Sequence, residues 1–247
     1  MHGSAYRRRG TRVGRWRSRR VGIGAAVLLF IELGMRPCAA QVGYDPTRSP
    51  YHDIPRGAVW AVSGGHLGGS RGDVGVGPAS GVTGGVRWEP SFGAVGASLG
   101  LAYAGTTRFV VNPTDSVARR VSGPFNNRVL LADAGLQLVL TGRKTWRRLA
   151  PFVGAAVGIA VAPNLARDSS GYTFGTKLTL APNAGVRWYP ARRVSVRGDV
   201  RLVFWRLRYP LSYKNPGPDG SRVLDPAAPL DQWTAHPWIT IGLGWIF

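Results

Sequence analysis

Charged and polar side chains recur at every second position inside otherwise apolar segments. Arg87 and Glu89 are two apart, and Asp133 and Gln137 share parity. So do Lys177, Asn183 and Arg187, and again Arg197, Asp199 and Arg201. In an extended chain, residues two apart point to the same side, so each segment gathers its charge on one face. Ions facing a narrow, low-dielectric space must pair with one another. Two chemistries follow. A fully paired set plugs the space, whereas an excess of Arg over carboxylate lines a narrow pore that prefers anions. A small barrel has little free interior, which favours the plug.

Other chemistry finds less support. The four histidines are His2, His52, His66 and His236. His66 and His236 belong to the first and last strands, which become neighbours if the chain closes on itself. They are the one candidate metal pair, and isolated rim histidines are the plainer reading. The single cysteine, Cys38, leaves the rest of the chain without a thiolate nucleophile or a disulfide framework. There is no His-x-Ser arrangement in the segments and no glycine loop to cradle phosphate. No catalytic residue, metal or cofactor is expected, and the chain does not read as an enzyme.

The elements that must position the charges are extended. Eight segments alternate: 57–68, 82–89, 95–103, 128–140, 152–161, 177–188, 193–204 and 238–247. In 193–204, Val194, Val196, Val200, Leu202 and Phe204 share one side, and Arg193, Ser195, Arg197, Asp199 and Arg201 the other. In 238–247, Ile239, Ile241, Leu243, Trp245 and Phe247 oppose Thr240, Gly242 and Gly244. This is the period of a strand. The segment 57–68 is the weakest of the set.

Alternation also fits a soluble sandwich or ligand barrel. Three features favour a membrane. The second face is built of Gly, Ala, Ser and Thr with charges of both signs, which makes a poor solvated surface and suits a lumen. Segments of about 9–14 residues reach across a bilayer when tilted, whereas ordinary strands have about five or six. Short connections near 89–92, 142–148 and 190–193 alternate with long ones near 69–78, 105–127, 163–173 and 209–233. Two aromatic groups flank the apolar band. Trp88, Trp146, Trp188, Tyr189, Trp245 and Phe247 lie toward the short turns. Tyr103, Phe109, Phe125, Tyr172, Phe204, Trp205 and Tyr209 lie toward the long loops.

The formal net charge of +20 raises nucleic acid as a partner. Its distribution argues against that reading. Residues 1–40 hold nine Arg and one acid, and the later cations stand singly in strands and turns, so no nucleic-acid partner is expected. Residues 1–40 have the three parts of a secretory signal peptide: a basic stretch from Arg7 to Arg20, an apolar run of about 11 residues from Val21, and Ala39-Ala40 as a cleavage site. The apolar run is short for a membrane helix. Residues 41–56, with three prolines, read as a periplasmic linker.

One motif occurs twice. Gly84-Gly-Val-Arg-Trp-Glu-Pro90 and Ala184-Gly-Val-Arg-Trp-Tyr-Pro190 each end a strand and enter a short turn. With this echo, the alternation of short turns and long loops, and the terminal Ile241-Gly-Leu-Gly-Trp-Ile-Phe247, residues 57–247 resemble the small outer-membrane barrels of the outer-membrane-protein-A type. The resemblance covers the barrel and does not extend to a peptidoglycan-binding domain. It implies that Leu243, Trp245 and Phe247 form the signal read by the barrel assembly machinery.

The expectation is therefore an all-β, eight-stranded antiparallel up-and-down transmembrane β-barrel, exported by a signal peptide to the bacterial outer membrane. Its role is structural or surface-interacting. Lipid, the assembly machinery and a possible extracellular ligand on the loops are its partners. A narrow anion-preferring pore is the alternative, and a lipid-modifying enzyme a more remote one.

Overall fold

The computed structural model describes residues 49–166 and 168–247. The expected signal peptide and residues 41–48 of the expected linker lie outside the described residues. Ten strands form one antiparallel sheet: β1 (Tyr51–Asp53), β2 (Ala58–Leu67), β3 (Gly81–Phe92), β4 (Val95–Val111), β5 (Val121–Val139), β6 (Lys144–Trp146), β7 (Leu149–Ala162), β8 (Gly175–Ala191), β9 (Val194–Arg208) and β10 (Asp231–Ile246). Eight of them make a closed ring in the order β2-β3-β4-β5-β7-β8-β9-β10. β10 returns to β2 through a register that sets Trp245 opposite Trp60 and Ile239 opposite His66. Closure removes the unpaired edges that an open sheet would expose.

All eight expected strands are present, and the side-chain pattern is inside out relative to a soluble barrel. Leu136, Leu178, Ile241 and Leu243 on the outer wall are 56–72% exposed. Between them, Arg197, Asp199 and Arg201 are buried. Such an apolar exterior has no favourable interaction with water and is the surface that lipid solvates.

The short turns are Gly93–Ala94 between β3 and β4, residues 140–148 between β5 and β7, and Arg192–Arg193 between β8 and β9. Gly93 takes a positive φ of 89° in its turn. On the same rim β1 pairs antiparallel with β6, setting Tyr51 opposite Trp146. Pro190 has no N–H for the ladder, and the β8–β9 register shifts between Trp188 and Ala191. The opposite rim carries residues 68–80, 112–120, 163–174 and 209–230.

Strand length is where the structure departs from expectation. β4 continues to Val111, β5 begins at Val121 and β10 at Asp231. The expected loops 105–127 and 209–233 therefore shrink to 112–120 and 209–230. Above the apolar band, outward positions such as Thr107, Asn126 and Arg128 are polar. The alternation that identifies a strand fades there while the hydrogen-bonded ladder continues.

The aromatic groups also divide differently. Trp60, Trp88, Trp188 and Trp245 do point outward near the short turns, and Trp245, Trp60 and Trp88 stand in register on three adjacent strands. Tyr103 and Trp233 point outward toward the other rim. Tyr172, Tyr189, Trp205 and Tyr209 do not join these belts; they are buried inside. Trp205 and Tyr189 share parity with Arg201 and Arg187, and that parity turns them into the lumen.

Candidate functional site

The interior is filled in layers. At the short-turn end, Ile54, Val59, Ala61, Val139, Ala150, Tyr189 and Ile246 form an apolar floor. The charged layer lies above it. Toward the long loops a second apolar cluster contains Leu67, Val129, Phe174, Val203, Trp205, Leu207 and Trp238.

In the charged layer the ion pairs close into a ring. Glu89 Oε1 pairs with Arg197 Nη1. Arg197 Nε lies 2.8 Å from Asp199 Oδ1, and Arg201 Nε 2.8 Å from Asp199 Oδ2. Arg201 Nη1 lies 3.2 Å from Asp133 Oδ2, and Arg87 Nη1 3.7 Å from Asp133 Oδ1. Arg87 Nε, 3.9 Å from Glu89 Oε1, completes the circuit. Arg87 is the loosest member, because its two contacts are ion pairs beyond hydrogen-bonding distance.

Arg187 joins from the opposite wall. Its Nη2 lies 2.9 Å from Glu89 Oε2 and donates to Gln137 Oε1 at 2.6 Å. The two copies of the repeated motif thus sit on β3 and β8, four places apart in an eight-membered ring. Arg87 and Arg187 reach inward to one carboxylate while Trp88 and Trp188 point outward. Four guanidinium groups face three carboxylates, and Gln137 supplies a neutral acceptor to Arg187 and, at 3.1 Å, to Arg197. Pairing every carboxylate in this way offsets the desolvation that a lone buried ion would suffer.

Of the ten residues expected in the lumen, eight meet: Arg87, Glu89, Asp133, Gln137, Arg187, Arg197, Asp199 and Arg201. Asn183 is opposite Arg201 in register, but its amide donates to Ala181 O at 3.3 Å. Lys177 lies in the aromatic layer, 5.9 Å from the Phe174 ring centre. Lys177 has the right parity and the wrong height, whereas Asn183 stands level with Arg201 and turns its amide to its own strand.

Several partners carry no charge and were not foreseen. Thr240 Oγ1 donates to Asp199 Oδ1 at 3.0 Å, and Trp238 Nε1 to Thr83 Oγ1 at 2.9 Å. The Phe152 ring lies under Arg197 at 4.3 Å and under Arg187 at 5.3 Å. Arg201 stands 5.1 Å over Trp238. Inward parity on β3, β7 and β10 is the signal that finds them. Small residues give the room. A Cβ on Gly185 would lie 2.4 Å from Gly198 O and 2.7 Å from both Asp199 Cβ and Phe152 Cζ, so only glycine lets β8 pass this crowded level.

In the upper layer Trp205 is fully buried. It stacks on His236 with ring centres 3.8 Å apart and meets Phe174 edge-on at 5.7 Å. His236 Nε2 lies 2.9 Å from Thr234 Oγ1, and its Nδ1 accepts from the Ser70 N–H at 3.3 Å. His236 points inward, whereas His66 is exposed on the outer wall. The two are therefore on opposite faces and cannot share a metal ion. Among the described residues no group of three or more His, Cys, Asp and Glu side chains is placed to hold a metal.

The long connections are tied to the barrel and to each other. Arg108, buried on β4, pairs with Asp168 at 2.6 Å, and Asp168 Oδ1 accepts from the Ser170 N–H at 3.0 Å. The Tyr213 hydroxyl donates to Ser170 Oγ at 3.4 Å. Burial pushes the Tyr213 hydroxyl up to about 12 and raises that of Tyr172 as well, so both stay protonated and Tyr213 keeps its proton to donate. Arg120 donates to Ser221 Oγ at 2.6 Å, and Asp219 Oδ2 accepts from the Val117 N–H at 2.8 Å. The Ser221 hydroxyl, followed by the Val117 amide, holds the Asp219 carboxyl down at about 2. Connections 112–120 and 209–230 thus form one joined cap, a pairing of distant loops that periodicity does not encode.

No protein-family model matches the chain, and no curated protein matches it in sequence. Solved structures do. Neisserial surface protein A matches 81% of this chain and 98% of its own at 11% identity, with a TM-score of 0.47. The N-terminal β-barrel domain of OprF from Pseudomonas aeruginosa matches 78% of this chain and 98% of its own at 12% identity, TM-score 0.41. The Yersinia pestis outer membrane protein Ail, in a phospholipid bilayer nanodisc, matches 76% of this chain and 99% of its own at 12% identity, TM-score 0.35.

Proposed function

We propose that the protein is a sealed barrel of the bacterial outer membrane, serving as a structural element and as a surface scaffold rather than as a conduit. The filled lumen carries this reading. Among the described residues, an apolar floor, a closed ring of ion pairs and an aromatic layer lie in series through the ring of strands. Lipid is the partner of the outer wall, whose apolar band is bounded by outward Trp60, Trp88 and Trp245 on one side and Tyr103 and Trp233 on the other. The joined cap on the long-loop rim is the surface offered to an extracellular ligand, with Val117, Val121 and Leu211 exposed for apolar contact. No residue is assigned a catalytic role.

Planar-bilayer recording tests the seal. The refolded full-length barrel is expected to give no unit conductance steps, and regular anion-selective steps would replace this reading with that of a pore. Heat-modifiable migration on gels reports the barrel itself. A detergent-independent soluble monomer would overturn the membrane assignment.

The assembly machinery is the second partner. Leu243 and Trp245 lie on the outward face of β10 and exposed Phe247 follows directly after its end, beside the seam that β10 closes with β2. The Phe247 N–H donates to Ala58 O at 3.0 Å. Deleting Phe247 is expected to lower the amount of assembled barrel severalfold while leaving export unchanged. Equal assembly of the two chains, followed by the heat shift in cell envelopes, would refute the signal role.

A further inference from the structure

The short-turn rim carries a one-sided cluster of cations. Arg143, Lys144, Arg147, Arg148, Arg192 and Arg193 are all exposed on two neighbouring turns. The turns are bound together, since Arg148 Nη1 donates to Pro190 O at 2.9 Å. The acid placed beside them is Asp53, opposite Lys144 in register.

Backbone strain accompanies the charge. Trp146 and Leu149 pair across a two-residue hairpin whose central residues, Arg147 and Arg148, have φ of 49° and 66°. A turn with both φ values positive favours Asn-Gly, because a Cβ is crowded there. Two exposed arginines in consecutive left-handed positions are a poor choice for stability, and strain retained at a surface turn points to a role for the side chains. Beside the hairpin a cleft of about 270 Å³ opens, with Tyr189 and Thr145 in its lining and Arg148, Arg192, His52 and Asp53 around it.

The cluster lies at the level of the aromatic belt. Arg147 stands 5.3 Å over the ring of Trp146, itself 44% exposed, and Trp188 is exposed on the wall below. Tryptophan at the edge of an apolar band marks the headgroup level of a bilayer, and arginines there meet headgroups. We propose that this sector binds anionic phospholipid headgroups of the leaflet on the short-turn side, with the cleft between Arg148 and Arg192 as the seat of the phosphodiester. The inference rests on the membrane reading above.

The test uses the full-length barrel refolded in phosphatidylcholine vesicles, with insertion verified first by the heat shift. Spin-labelled phosphatidylglycerol is then compared with spin-labelled phosphatidylcholine. The wild type is expected to favour the anionic lipid by about twofold or more, and the preference should vanish in 1 M salt. Arg147→Gly/Arg148→Gly removes the charge and relieves the backbone, so it folds, and its preference falls toward unity. Arg147→Lys/Arg148→Lys keeps most of the preference. Arg192→Gln/Arg193→Gln, which leaves the hairpin intact, lowers it independently. An inserted barrel that binds both lipids equally would overturn the proposal while leaving the membrane reading in place. So would a soluble cell-wall muropeptide that binds these arginines in the absence of any lipid preference. Failure to insert would instead overturn the membrane reading.

Discussion

Glu89→Gln lowers the stability of the folded barrel by about 3–5 kcal/mol, the range for removing one partner of a buried ion pair. The side chain keeps its shape and loses the charge that faces three arginines: Arg197, Arg187 at 2.9 Å and Arg87 at 3.9 Å. Four guanidinium groups then face only Asp133 and Asp199 in a layer with little access to water. Asp133→Asn should cost less, because its contacts to Arg201 and Arg87 are longer, at 3.2 and 3.7 Å. Adding Arg197→Gln to Glu89→Gln restores the original excess of one cation and recovers part of the loss, leaving Asp199 paired to Arg201. Urea unfolding of the refolded protein in detergent measures all four chains. A loss below about 1 kcal/mol for Glu89→Gln, on the scale of a surface pair, would show that the ring is solvated rather than sealed.

Trp205→Ala lowers stability by a comparable amount, about 3–5 kcal/mol, by opening a cavity in the upper layer. Trp205 is fully buried, with His236 stacked on one face and Phe174 against its edge. Trp205→Phe keeps an aromatic plate there and is expected to retain most of the stability. The neighbouring outward residue is the control, because Phe204→Ala removes a ring from the outer wall and leaves the interior packing untouched. Equal losses at 204 and 205, read from the same unfolding curves, would contradict the inward placement of Trp205. The contrast also bears on the seal. The aromatic layer and the charge ring are stacked, so removing Trp205 alone is expected to leave the membrane non-conducting.

Much of the wall is legible in the sequence. Period-2 alternation identifies a strand because it reflects a local fact, the pleat, and that fact holds wherever lipid demands an apolar face. It found all eight ring strands and located their short-turn ends. It failed at 104–111, 121–127 and 231–237, where the strands rise above the band and both faces turn mixed. The same parity, carried four residues beyond Arg201, would have turned Trp205 inward. Tyr172 sits in a long connection, where no parity applies.

The site divides along the same line. The sequence by itself determined which face each of the ten polar residues occupies, since side-chain direction in a strand follows from position alone. Only the tertiary structure decided which of them meet. Height within a closed barrel depends on the stagger between strands, and stagger is set by pairings between residues far apart in the chain. Glu89 and Arg187 are 98 positions apart and form an ion pair from opposite walls. Lys177, only ten residues from Arg187 and on the same face, stands too high to reach a lumen carboxylate and lies over Phe174 instead.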